Sequence, residues 1–105
     1  MSRWTPPDDE SLGGGDDPRE LPVVMIFWRD AASSGGWKSI SRTRRSHAVR
    51  CRSVGFLTKA TPNELQVVQS IGGQGEVNDQ ITIPRAWVRQ VVLLRHGRQP
   101  KEGKP

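Results

Sequence analysis

His47-Ala48-Val49-Arg50-Cys51-Arg52-Ser53-Val54-Gly55-Phe56-Leu57-Thr58-Lys59 is the stretch that decides the fold. Side chains along a β-strand alternate between its two faces, so Val49 and Cys51 fall on one side while Arg50 and Arg52 fall on the other. Gly55 breaks that alternation before Phe56 and Leu57 resume it. A glycine inside a strand marks a bulge or a sharp bend, as the corner of a small barrel requires. The stretch therefore reads as a strand over residues 47–54, a bend, and a continuation to Lys59.

Upstream, Pro22 opens Val23-Val24-Met25-Ile26-Phe27-Trp28, a run too short and too rich in β-branched and aromatic residues for a helix. Arg29 and Asp30 end this first strand. Residues 31–36 form a Ser/Gly loop, and residues 37–46 are polar and Arg-dense without periodicity. Downstream, residues 60–63 form a turn around Pro62. A third strand covers residues 64–71, with Leu65, Val67 and Ile71 inward. Gly72-Gly73-Gln74-Gly75 begins a flexible loop that runs to Asp79, and residues 80–83 form a fourth strand with Ile81 and Ile83 on one side. Pro84 stops that strand and opens a single helical turn through Trp87.

Residues 88–94 admit two readings. Trp87, Val88, Val91, Val92 and Leu94 lie at helical spacing from Pro84, where proline starts helices well. The β-branched pair Val91-Val92 favours a strand instead, and a strand is expected. The chain is thus expected to be mostly β: a small SH3-like or Sm-like barrel of four to five strands with one short helical turn.

The 105 residues allow one domain. Residues 1–21 combine Pro6-Pro7, three consecutive glycines and six carboxylates, which leaves too little apolar surface to offset the entropy of ordering them. They are expected to be a disordered acidic tail on which Trp4 is the one residue able to dock, either on the domain or on a partner. Residues 96–105 are expected to be a disordered basic tail, leaving 22–95 as the domain. A domain of that size buries only about 60% of its unfolded surface, so an oligomer would help it. The net charge of +5 divides unevenly: the first 21 residues carry −4, the domain +7 and the last ten residues +2. An acidic tail beside a basic domain either competes with a polyanion for the basic surface or simply keeps the protein soluble.

Cys51 is the only cysteine, which rules out an intramolecular disulfide and a Cys-rich zinc site and suits a small buried side chain. No apolar run follows the first basic residue, and the longest one, residues 23–28, is far too short to span a bilayer. A cytoplasmic protein with no membrane partner is expected.

Three motifs carry a resemblance. Phe27-Trp28-Arg29-Asp30, then Cys51-Arg52-Ser53-Val54-Gly55-Phe56-Leu57, then Ile83-Pro84-Arg85-Ala86-Trp87-Val88 together resemble a group of short phage and prophage proteins of unknown function. That group shares a Trp-x-Asp end to the first strand, a Ser-Val-Gly-x-Leu bend, and an Ile-Pro before the last apolar segment. The resemblance covers about residues 23–95 and implies a phage-encoded accessory protein acting in a bacterial cytoplasm. It transfers no catalytic residue.

Catalysis finds no constellation to support it. His47 and His96 have no acidic residue near them in sequence, and the chain holds no Gly-x-Ser-x-Gly elbow, P-loop or His-Glu-x-x-His pair. Neither glycine-rich stretch carries the Lys-Ser/Thr of a phosphate cradle. The N-terminal aspartates lie on a segment that cannot hold a coordination geometry. No enzyme, metal or cofactor is expected. The functional signal is basic instead. Lys38, Arg42, Arg44, Arg45, Arg50 and Arg52 fall within fifteen residues that contain no carboxylate, flanked by Trp37 and Phe56. Guanidinium groups spaced to reach successive phosphates, with aromatic faces on which bases stack, are what a nucleic-acid surface needs. Arg85, Arg89 and Arg95 extend this surface if the last strand lies beside the second. The same residues serve a host or phage protein partner equally well, and outward arginines also guard sheet edges. Among four tryptophans, Trp28 and Trp87 are expected in the core. Trp37 is either a contact residue or a cap on the open end of the barrel.

Overall fold

Gly55 stands where the second strand passes from one partner strand to the next. In a computed structural model, which describes residues 3–6 and 21–97, strand β2 (Val49–Ala60) runs unbroken through this glycine. Its first part, Val49 to Phe56, pairs with β1 (Val23–Asp30), and its last part, Phe56 to Ala60, pairs with β3 (Glu64–Val68). A Cβ at Gly55 would stand 2.6 Å from the Val68 carbonyl oxygen and 3.2 Å from the Val67 Cβ. Only glycine lets β3 approach β2 that closely. A bulge or bend was expected at Gly55; the ladder instead runs regularly through it, and the register slips further on, between Leu57 and Lys59.

Two-residue strands β4 (Ser70–Ile71) and β5 (Val77–Asn78) follow, then β6 (Ile81–Pro84), a 3-10 turn (Arg85–Trp87) and β7 (Val88–Arg95). Five strands form one antiparallel sheet in the order β6-β3-β2-β1-β7, and β4 pairs with β5 separately. Val24, Ile26 and Trp28 of β1, Leu57 and Ala60 of β2, Leu65 and Val67 of β3, Ile83 of β6 and Val91 of β7 join Leu21 in one buried cluster. One cluster joins all five strands through their neighbours, and β6 and β7 do not pair with each other, so the sheet is not closed into a barrel.

The mostly β expectation holds, and the 3-10 turn before the last strand stands where a helical turn was expected. Residues 88–95 are a strand rather than a helix, as their β-branched content implies. Other details differ. The segment 72–79 is the end of a hairpin rather than a plain loop: the Gly72 N–H donates to the Glu76 carbonyl at 2.7 Å, and Gly75 adopts φ +90° to make the turn. Residues 70–71 therefore belong to β4 and not to the third strand. The polar stretch after Trp37 contains one helical turn, α1 (Ile40–Thr43), whose Ser39 hydroxyl accepts from the Arg42 N–H at 3.2 Å. Trp87 is 40% exposed and lies on Trp28 as a stacked pair, centroids 6.4 Å apart, so it covers the core rather than entering it. Cys51 is half-buried at the edge of the same cluster.

The outer edge of β7 is occupied by the chain's own beginning. Arg3 pairs antiparallel with Val92, the Trp4 N–H donates to the Val91 carbonyl at 2.8 Å, Trp4 packs against the core, and Pro6 is buried. Of the two dockings open to Trp4, on the domain or on a partner, the structure shows the first. Residues 1–2, 7–20 and 98–105 of the two segments read as tails lie outside the described residues. Among the described residues no helix is long and apolar enough to cross a membrane.

Candidate functional site

Strand parity builds the site. β1 turns Val24, Ile26 and Trp28 toward the core, so Phe27 and Arg29 face the other way. Across the ladder Phe27 stands opposite Arg52 and Arg29 opposite Arg50. On the other flank Gln90 of β7 stands opposite Phe27, and the register then slips so that Val88 meets Trp28. Arg89 is the extra residue at that irregularity. A bulge turns a side chain away from its regular alternation, and Arg89 joins the arginine face in this way.

Arg29, Arg50, Arg52, Arg89 and Arg3 line a cleft of about 430 Å³ together with Phe27, Trp28, Cys51 and Gln90. The Arg52 guanidinium carbon sits 5.8 Å from the centre of the Phe27 ring, a cation–π contact that holds the side chain against the sheet. Arg29 and Arg50 also line a second space of about 230 Å³ with His47 and Ala48. One residue before His47 in the chain, Ser46 lines a third cleft, of about 500 Å³, with Lys38, Arg42 and Arg45. The cations thus run from the face of the sheet, past His47, into the long β1–β2 loop.

Among the described residues no carboxylate balances them. The described carboxylates are committed elsewhere or lie apart. Asp30 accepts from the Ala31 N–H at 2.8 Å, Glu64 pairs with Lys59 at 2.9 Å, and Glu76 accepts from the Gln74 N–H in the β4–β5 hairpin. Asp79 lies just after β5. Among the described residues none of Arg29, Arg50, Arg52 and Arg89 has an ion-pair partner. Like charges directly opposite on one sheet face repel, so this face carries a concentrated positive potential.

The site residues expected from the sequence separate into two groups. Arg50 and Arg52 are on the sheet face. Lys38, Arg42 and Arg45 surround the loop cleft, where the Lys38 ammonium donates to the Ser34 hydroxyl and the Gly35 carbonyl, each at 2.9 Å. Arg44 caps the helical turn and lines neither cleft. Trp37 has a relative exposure of 103%, which discards the barrel-cap role and leaves its whole indole to solvent. Phe56 does not serve the patch, because Arg95 lies over its ring at 5.7 Å and also donates to the Leu21 carbonyl at 3.0 Å. The last strand lies beside β1 and not β2, which brings Arg89 to the face but leaves Arg95 at its far end.

Sequence reading passed over Arg29, Arg3, Phe27 and Gln90. Parity counted from Val24 would have placed Phe27 and Arg29 with the outward arginines. Nothing local announces Arg3, Arg89 or Gln90. Among the described residues no group of three His, Cys, Asp or Glu side chains is placed to hold a metal ion. Comparison with protein-family models, with curated proteins and with solved structures finds no match for this chain.

Proposed function

We propose that the arginine face of β1, β2 and β7, continued by the loop cations, binds the phosphate backbone of nucleic acid. The observation that carries this reading is the set Arg29, Arg50, Arg52 and Arg89 gathered round Phe27 with no carboxylate among them. Guanidinium groups match phosphate oxygens in a planar fork, and unpaired cations on a half-enclosed face offer them at little cost in broken ion pairs. The five-stranded sheet fits a half-closed barrel of the SH3-like or Sm-like kind. A long second strand that pairs first with β1 and then with β3, and the 3-10 turn before the last strand, support that assignment. Fold alone fixes no function, so the weight rests on the face. A small binding module of phage type, as the three motifs suggest, is the reading that joins these features.

A second reading, a protein-interaction module that meets a host or phage protein through a largely apolar interface on the same Arg/Trp surface, draws on the partly exposed Val49, Val54 and Leu94. Salt separates the two. Neutralising phosphates gives a log affinity that falls with log salt by about 0.7 per contact on single strands and about 0.9 on duplex. Four face arginines therefore give a slope near 3 to 4. Fluorescence anisotropy of labelled oligonucleotides, titrated at several salt concentrations, measures it. The triple variant Arg29→Ala/Arg50→Ala/Arg52→Ala, all exposed positions, should lose most of that slope along with the affinity. No salt-dependent binding by the folded wild type discards the nucleic-acid reading in favour of a protein partner.

A further inference from the structure

Trp37 is a large apolar side chain in full contact with water, and it immediately precedes Lys38, one of the cations of the loop cleft. Its relative exposure of 103% means that no part of the indole is packed on the protein. It follows Gly36, which has φ +89° and open space around its Cα, so the turn presenting Trp37 is one that glycine makes easily. Its sequence neighbour Lys38 is anchored by two hydrogen bonds and lines the loop cleft with Arg42 and Arg45. Leaving an indole wholly in water forgoes the free energy of burying it, and such residues at a binding surface await a flat apolar partner.

We infer that Trp37 is a stacking platform for an unpaired base, so that the ligand of the basic surface is single-stranded nucleic acid. The inference rests on the nucleic-acid reading and adds the strandedness. An exposed indole next in the chain to Lys38 suits a nucleotide whose base leaves the strand to stack while its phosphates meet Lys38, Arg42 and Arg45. Bases inside a duplex are already stacked on one another, and their faces are not offered to a side chain. Reading a duplex from the major groove takes an α-helix or a projecting two-stranded ribbon. The described residues supply helical segments of only one turn, and the hairpin β4–β5 carries Glu76 and no Lys or Arg.

The test compares wild type, Trp37→Ala, Trp37→Phe and Arg50→Ala/Arg52→Ala on four probes of equal phosphate number. These are single-stranded DNA, single-stranded RNA, duplex DNA and an abasic single strand. Since Trp37 packs on nothing, its variants keep the wild-type fold, and a thermal melt checks this. Expected results are single strands bound at least about ten-fold more tightly than duplex, and roughly ten-fold weaker single-strand binding by Trp37→Ala. Trp37→Phe should recover most of that loss. The abasic strand should bind wild type and Trp37→Ala alike. The DNA and RNA arms identify which strand is held better. If duplex binds as tightly as single strands, or Trp37→Ala changes nothing while Arg50→Ala/Arg52→Ala abolishes binding, the stacking inference is overturned and the nucleic-acid reading stands. If no probe binds, both are overturned.

Discussion

Replacing Gly55 by alanine places one methyl group where β2 passes from one partner strand to the other. The added carbon would sit 2.6 Å from the Val68 carbonyl oxygen, against the 3.4–4 Å of ordinary contact. The strands must separate by close to an ångström, and the obstructing atom is backbone, which cannot swing aside as a side chain would. A hydrogen bond of about 2.9 Å stretched by that amount is no longer a hydrogen bond. Overpacking of this kind costs about 1–3 kcal/mol, while the reduced freedom of the unfolded chain returns about 0.4–1 kcal/mol. A net loss of about 1–2 kcal/mol follows, which for a domain of this size lowers the melting temperature by roughly 4–15 °C. Gly73→Ala is the control, since nothing lies within 4 Å of its added carbon and its φ is not in the left-handed region. Urea and thermal unfolding followed by tryptophan fluorescence would compare the two. Equal stability of Gly55→Ala and Gly73→Ala would refute the steric account of that close approach.

Two further substitutions test the core and its covering. Trp28 is buried, and its indole N–H donates to the Ser53 hydroxyl at 3.0 Å, so Ser53→Ala leaves a buried donor unpaired and costs about 1–2 kcal/mol in urea unfolding. Ser53→Thr keeps the hydroxyl and should lose much less; equal losses would mean that the hydrogen bond is not what matters. Trp4→Ala removes a half-buried ring from the edge of the core and should cost about 1–2 kcal/mol in thermal unfolding. An unchanged melt would place the indole off the sheet.

Local pattern made part of this architecture legible. Alternation in Val49–Arg52 and the glycine at 55 are consequences of strand geometry and close packing, which act over a few residues and so leave their mark in a few residues. Pairing is different. β7 lies against β1, more than fifty residues away in sequence, and no local property of Val88–Arg95 records its neighbour. Strands β4 and β5 escaped because two residues are too few for a period to show. The same contrast divides the site. Arg50 and Arg52 could be read from their own strand. Arg29 obeys the same parity but stands at the end of an apolar run, where it looked like a terminator. Arg89 reaches the face through a register slip that only the paired strands define, and Arg3 reaches it from beyond the acidic segment. Trp87 was expected in the core because its neighbours are apolar, yet a three-residue turn leaves its ring lying across Trp28 instead of beneath it.

Arg29 facing Arg50 across the β1–β2 ladder has a thermodynamic consequence for the free protein. A sheet optimised only to stay folded would carry a carboxylate at one of those positions, so the unliganded domain holds a repulsion that an anion settling between the two guanidiniums relieves. Folding and anion capture then draw on the same charges. Whatever binds there raises the folded population by mass action. An anion that settled between the two guanidiniums would therefore show itself as a rise in the melting temperature of the domain.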